Sequence, residues 1–150
     1  MKWKTRVLEV ASLSFVLASM LIIMLNYKTL PARVPHHFNL AGVPNAFGEP
    51  KVIWSLPVFG GLFYFLLTII SFFIRSQSGQ DIRPLSLLRQ VTALLLQLKV
   101  LFTATILYLT IATIRITTGA AVRLDALYLP VFLILLVGIL IFNIYLIYRK

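Results

Sequence analysis

Four long apolar stretches dominate this chain of 150 residues. They cover residues 7–25, 52–74, 87–114 and 126–148. A helix of about 20 apolar residues crosses the hydrocarbon core of a bilayer, and a segment in lipid must satisfy its backbone hydrogen bonds internally. The stretches therefore predict an all-α integral membrane protein, a bundle of four transmembrane helices. They leave one loop of any length, between residues 26 and 51, and we expect it to be structured and to lie outside.

Composition supports this class and excludes others. The chain is 60% hydrophobic, with a mean hydropathy of +0.96, which is too apolar for a soluble domain of this size. The net charge of +10 does not indicate nucleic acid, because the basic residues are scattered through tails and loops. The lipid bilayer is the predicted partner of these charges. The absence of cysteine excludes disulfides, thiol nucleophiles and thiolate metal sites.

The distribution of basic residues predicts an orientation. Eight lie at the termini and around the second connection, and five lie in the first and third connections. The eight are Lys2, Lys4, Arg6, Arg75, Arg83, Arg89, Arg149 and Lys150, and the five are Lys28, Arg33, Lys51, Arg115 and Arg123. This asymmetry favours cytoplasmic termini and an outer long loop. A cleavable signal peptide ending near Ala18 is the alternative for the first stretch, but the apolar run continues to Leu25, which favours a retained span.

The long loop combines residue types that shape a backbone with apolar ones. Pro31, Pro35, Pro44 and Pro50 restrict φ, while Gly42 and Gly48 allow turns. Its larger apolar residues do not suit a solvated linker, and we expect them to form a small cap on the outer helix ends. These residues are Leu30, Val34, Phe38, Leu40 and Phe47.

Within this loop, the sequence predicts one ordered turn formed by His37, Asn39 and Gly42, with Phe38 and Phe47 packed onto the first two helices. The pair His36-His37 lacks the further ligands that zinc needs, so a hydrogen-bonding role for His37 is favoured over a metal site. No serine, paired carboxylate or phosphate-binding glycine pattern accompanies the histidines. We therefore expect no enzymatic activity, no metal and no cofactor.

The third stretch carries a polar stripe at helical spacing. It consists of Thr92, Leu96, Lys99, Thr103, Ile106, Thr110 and Thr113. In one interpretation the threonines bond their own helix and Lys99 reaches the headgroups. In the other, Lys99 is buried and paired, because an unpaired charge within the membrane is costly. Glu9 and Asn143 are the candidate partners, and Arg89 competes for Glu9.

The loop also resembles a known family. The pattern is Leu30-Pro31-x-x-Val34-Pro35-x-His37-Phe38-Asn39-x-x-Gly42-x-Pro44-Asn45-x-Phe47-Gly48, followed by Lys51 and an apolar span. It is similar to the signature of the domain of unknown function numbered 1648. The resemblance implies a unit covering residues 1–80, with a second helix pair in residues 81–150. It also implies a prokaryotic cytoplasmic-membrane protein, in a family that includes the immunity protein against the SDP toxin.

Three functions remain open from the sequence. The first is a non-enzymatic membrane protein whose outer loop recognises a partner at the membrane surface, such as a membrane-active peptide that it senses or confers immunity to. The second is an accessory subunit of a larger membrane complex, and the third a small transporter that uses the polar stripe. For the first, the candidate binding residues are Pro35, His37, Phe38, Asn39, Gly42, Pro44, Asn45, Phe47 and Gly48.

Overall fold

The computed structural model describes residues 2–76 and 85–149. These residues form four helices, each long and apolar enough to cross a membrane, which confirms the predicted fold class. The helices are α1 (Lys2–Asn26), α2 (Ser55–Ser76), α3 (Leu85–Thr117) and α4 (Tyr128–Tyr148). They begin and end within a few residues of the predicted stretches. The predicted boundary between residues 80 and 81 lies outside the described residues.

Helix α3 is the central element of the bundle. It contacts α1, α2 and α4, and α1 also packs on α2. Helix α4 packs mainly on α3, and only 6% of its most apolar window is buried, against 22–28% for the other three helices. The bundle is therefore a three-helix core with α4 attached to one side of α3.

Small residues allow the core helices to approach closely. Ser12, Val16, Ser19 and Ile23 lie on one face of α1 at helical spacing and are all buried. The hydroxyl groups of Ser12 and Ser19 each donate to a carbonyl of their own helix at 2.8 Å, so they bring no unpaired polar group into the interface. On α2, a Cβ at Gly60 would lie 3.1 Å from Ile106 Cγ2.

The long loop contains a small β-hairpin that the sequence did not predict. Strand β1 (Val34–Phe38) pairs antiparallel with β2 (Pro44–Gly48), and Val34 lies opposite Gly48. Pro35 and Pro44 disfavour a strand in the interior of a sheet, because proline has no backbone N–H to donate to a neighbouring strand. In a sheet of two strands both are edge strands, so the prolines are tolerated.

The base of the hairpin is held by the helices below it. Val34 is fully buried in a cluster with Ile23 of α1, Ile53 of the 3-10 helix before α2, and Ile114 of α3. Leu30 packs against this cluster, as expected. The expected packing of Leu40 and Phe47 is wrong, since their exposures are 92% and 48%.

The pleat explains why Phe47 does not join this cluster. It precedes Gly48, the partner of Val34, and successive strand residues point to opposite faces. Phe38 is half-buried. The expected apolar cap therefore includes Leu30 and Val34 but not Leu40 or Phe47.

Candidate functional site

A closed turn joins the two strands of the hairpin. The amide N–H of Gly42 donates to the carbonyl of Asn39 at 2.9 Å, and that of Asn39 donates to the carbonyl of Val43 at 3.0 Å. Asn39 Oδ1 accepts from the amides of Ala41 and Val43, both at 3.0 Å. Gly42 has φ +74°, which glycine adopts without strain. Asn39 and Gly42 therefore form the predicted turn, in the three-residue hairpin geometry that ends on a left-handed residue.

His37 lies outside this turn, which corrects the predicted grouping. Its Nδ1 lies 2.6 Å from Asn45 Oδ1 on the opposite strand. An amide oxygen only accepts hydrogen bonds, so Nδ1 carries the proton and donates. The sequence thus predicted a hydrogen-bonding role for His37 but not its partner, because pairing across the hairpin depends on the register of the strands.

The remaining motif residues shape the strands around this bond. Pro35 is buried and Pro44 is half-buried. A Cβ at Gly48 would lie 3.3 Å from the Nδ1 of His36, so glycine gives that imidazole room to pack. These residues position the hairpin without presenting reactive groups.

The tip of the hairpin is fixed to the connection between α3 and α4. The amide of Leu124 donates to the carbonyl of Gly42 at 2.9 Å. A Cβ at Gly42 would lie 3.0 Å from Leu124 Cβ, so glycine is needed for this close approach as well as for its φ. Sequence reasoning missed Leu124, since nothing in the local pattern marks a contact between residues so far apart in the chain.

The fixed hairpin presents apolar side chains outward. We call Leu40, Val43 and Phe47, which are 92%, 39% and 48% exposed, the hairpin surface. The exposed ion pair between Lys51 Nζ and Glu49 Oε2, at 2.6 Å, lies just after β2. The hairpin surface is therefore a small apolar patch on an ordered platform.

A second site lies inside the bundle. Lys99 of α3 is fully buried, and its Nζ donates to both carboxylate oxygens of Glu9 on α1, at 3.0 and 2.8 Å. A third bond, at 2.9 Å, joins Nζ to Thr68 Oγ1 on α2. The predicted contact between Lys99 and Glu9 is thus present, and the alternatives in which Lys99 reaches the headgroups or Glu9 pairs with Arg89 are wrong.

This ammonium group is saturated with hydrogen bonds. An ammonium has three donors, and all three are used. Nζ also lies 4.8 Å from the ring centroid of Tyr64, whose carbonyl accepts from Thr68 Oγ1 at 2.7 Å. The sequence analysis missed Tyr64 and Thr68. Two polar residues four apart in an apolar span lie on the same face of the helix, and this spacing could have indicated a buried polar contact. The cluster joins α1, α2 and α3 through one charge.

Asn143 forms a separate contact and is not a partner of Lys99. Its Nδ2 donates to Gln97 Oε1 and to the carbonyl of Ile139, each at 2.8 Å. Gln97 and Lys99 are two residues apart on α3 and so face different neighbours, α4 and the α1–α2 pair. Gln97 was missed, and its amide supplies one polar contact between α3 and α4, another being the bond from Gln90 Nε2 to the carbonyl of Leu146 at 2.7 Å.

The threonines of the predicted stripe form hydrogen bonds within their own helix, as the first interpretation predicts. Thr103 donates to the carbonyl of Lys99 at 2.9 Å, and Thr110 donates to that of Ile106 at 2.8 Å. Both residues are fully buried. Hydroxyls bonded within their own helix do not favour a polar pathway, so this geometry gives the transporter hypothesis no support.

The fold and these contacts define a polytopic membrane protein with one ordered hairpin between its first two spans. Residues 15–61 match the family described as "Domain of unknown function (DUF1648)". The match covers the second half of α1, the whole hairpin and the start of α2, and it supports the family assignment that the motif predicts. No curated protein and no solved structure matches the chain.

Proposed function

We propose that this protein is a non-enzymatic membrane protein of a prokaryotic cytoplasmic membrane, and that its hairpin surface recognises a partner at the membrane surface. The observation that carries the proposal is the exposure of Leu40 and Phe47 on a hairpin whose backbone is fixed at both ends. Large apolar side chains held outward on an ordered platform are typical of interaction sites.

Rigidity makes such a surface suited to binding. Asn39 and Gly42 close the turn, Val34 anchors the base, and Leu124 holds the tip. Binding to a preorganised surface avoids the entropic cost of ordering that surface. The hairpin is therefore a better recognition element than a flexible loop of the same composition.

Charge indicates the chemistry of the partner. The hairpin side of the bundle carries five basic residues and two acidic ones, Glu49 and Asp125. Such a surface attracts a molecule with both apolar and acidic groups. We propose an amphipathic peptide that lies at the membrane surface, and immunity to or sensing of a membrane-active peptide is the form of this function that the family resemblance suggests.

Site-specific photocrosslinking tests the proposal. A benzoylphenylalanine at position 40 should give a discrete peptide adduct in intact cells, and Phe47→Ser should reduce its yield. Val122→Ser is the matched control, because Val122 is 85% exposed on the same side but outside the hairpin. Equal adduct yields in both variants, or adducts with lipid alone, would contradict the proposed role.

We also propose that the hairpin lies outside and that both termini are cytoplasmic, on the support of the eight-to-five distribution of basic residues. The chain has no cysteine, so single cysteines at Ala46, Ser78 and Thr118 can be labelled without background. An impermeant thiol reagent on whole cells should label positions 46 and 118. Labelling at 78 with protection at 46 would reverse the orientation.

A second candidate function is supported by α4. This helix packs mainly on α3, and a Cβ at Gly138 would meet nothing within 4 Å. An apolar helix held on one side suits an accessory subunit whose remaining face packs on another membrane protein. Purification from native membranes distinguishes the two functions, because a stable stoichiometric complex favours the subunit and a separable peptide favours recognition.

A further inference from the structure

A lateral groove lies between α3 and α4, near the end of the bundle that carries the hairpin. Its volume is about 410 Å³. Apolar side chains form most of the wall, and Val131 and Leu135 of α4 remain 49% exposed along it. The groove is therefore continuous with the lipid-facing surface of α4.

The direction of the groove distinguishes between possible occupants. Leu101 and Tyr108 mark its extent along α3, and Tyr128 and Leu135 mark it along α4. Seven residues of helix correspond to ~10 Å, so the groove runs along two membrane-spanning helices for that length. An extended acyl chain has this direction in a bilayer, whereas a peptide lying at the membrane surface is perpendicular to it.

The hairpin end of the groove is polar. The rings of Tyr108 and Tyr128 stack with centroids 4.3 Å apart, and the Tyr108 hydroxyl accepts from the amide of Asp125 at 3.0 Å. Tyrosines are enriched at the headgroup level of membranes, where one end of the side chain is apolar and the other is wet. The groove thus opens at one end at the depth where a lipid changes from chain to headgroup.

Two arginines provide charge complementarity at that end. Arg115 is exposed and lies seven residues after Tyr108, on the same face of α3 and ~10 Å closer to the hairpin. Arg123 is exposed on the α3–α4 connection, next to Leu124, which the hairpin holds in place. Both can meet a phosphate above the groove.

We propose that this groove is a binding site for one anionic phospholipid, with an acyl chain between α3 and α4 and its phosphate near Arg115 and Arg123. The site is separate from the hairpin surface, so a result that contradicts one proposal does not contradict the other. Through Leu124, the bound lipid would also support the connection on which the hairpin tip rests.

Native mass spectrometry of the full chain tests this site with phosphatidylglycerol as the probe. The unmodified protein should retain one lipid, and Ala104→Phe, which fills the groove, should lower the retained fraction about tenfold. Ala93→Phe is the matched control, because Ala93 is exposed on the same helix but outside the groove. Replacing Arg115 and Arg123 with glutamine should remove the preference for phosphatidylglycerol over phosphatidylcholine. Equal retention in both phenylalanine variants would overturn the proposal.

A fluorescence measurement covers the case in which Ala104→Phe does not fold. Brominated phosphatidylglycerol should quench a tryptophan at position 135, which lines the groove, at a lower mole fraction than a tryptophan at 134, which is 70% exposed beside it. Identical quenching curves would mean ordinary surrounding lipid. A tryptophan at 135 that is protected from the brominated chains would mean another occupant, such as a peptide, and either result refutes the site.

Discussion

The buried charge of Lys99 allows a quantitative prediction about the bundle. Its ammonium is fully buried, whereas the side chain of Glu9 is 28% exposed. Glu9→Gln leaves a positive charge that cannot reach water, and losing one partner of a buried pair costs about 3–5 kcal/mol in the free energy of unfolding. Lys99→Met leaves a carboxylate only about two turns from the N-terminal end of α1, close to the polar interface, so its cost should be smaller, about 1–3 kcal/mol.

The double variant tests whether these costs have a common origin. Removing both charges leaves neither group uncompensated, so the free energy of unfolding should return to within about 1 kcal/mol of the original protein. The resulting coupling energy, which is the sum of the two single costs minus the cost of the double variant, should be at least about 3 kcal/mol. Thr68 keeps its own bond to the Tyr64 carbonyl in every variant, so it does not add an orphaned donor.

Denaturant titration of the detergent-solubilised protein measures these free energies. Glu49→Gln is the matched control, because its ion pair with Lys51 is 70–75% exposed and its loss should change stability by no more than about 0.5 kcal/mol. Additive costs for Glu9→Gln and Lys99→Met would show that the pair does not stabilise the bundle. A larger cost for Lys99→Met than for Glu9→Gln would refute the expected order of the two costs.

Three further predictions concern the hairpin and α4. Gly42→Val should make the hairpin far more sensitive to proteolysis than Gly119→Val. Both positions have positive φ, but only at Gly42 would the new Cβ contact a neighbouring residue, so equal protease sensitivity of the two variants would contradict this argument. Asn39→Ala should destabilise the turn by about 1–2 kcal/mol, seen as faster amide exchange confined to the hairpin, since two backbone donors lose their acceptor. Asn143→Leu should loosen α4, because the side-chain Oε1 of Gln97 loses its donor. Adding Gln97→Leu should recover stability in thermal unfolding, and a double variant less stable than Asn143→Leu alone would contradict the contact.

The sequence by itself determined the membrane-spanning architecture, because an apolar run of sufficient length has only a helix available to it in lipid. It also determined the turn of the hairpin, since Asn39 and Gly42 act on their own backbone. The charge on Lys99 demanded a partner within the membrane, and Glu9 was the one acidic residue in any predicted span. These inferences succeed because each rests on local chemistry or on a requirement that few residues can meet.

Only the tertiary structure decided which residues meet across the bundle. The rotation of α3 directs Lys99 to α1 and α2 and directs Gln97 to Asn143, a division that a single polar stripe does not reveal. Strand register turned Phe47 outward and paired His37 with Asn45. The approach of Gly42 to Leu124 depends on where the α3–α4 connection passes. Such contacts are set by helix adjacency, rotation and register, which depend on all the packing interfaces together and not on any one segment.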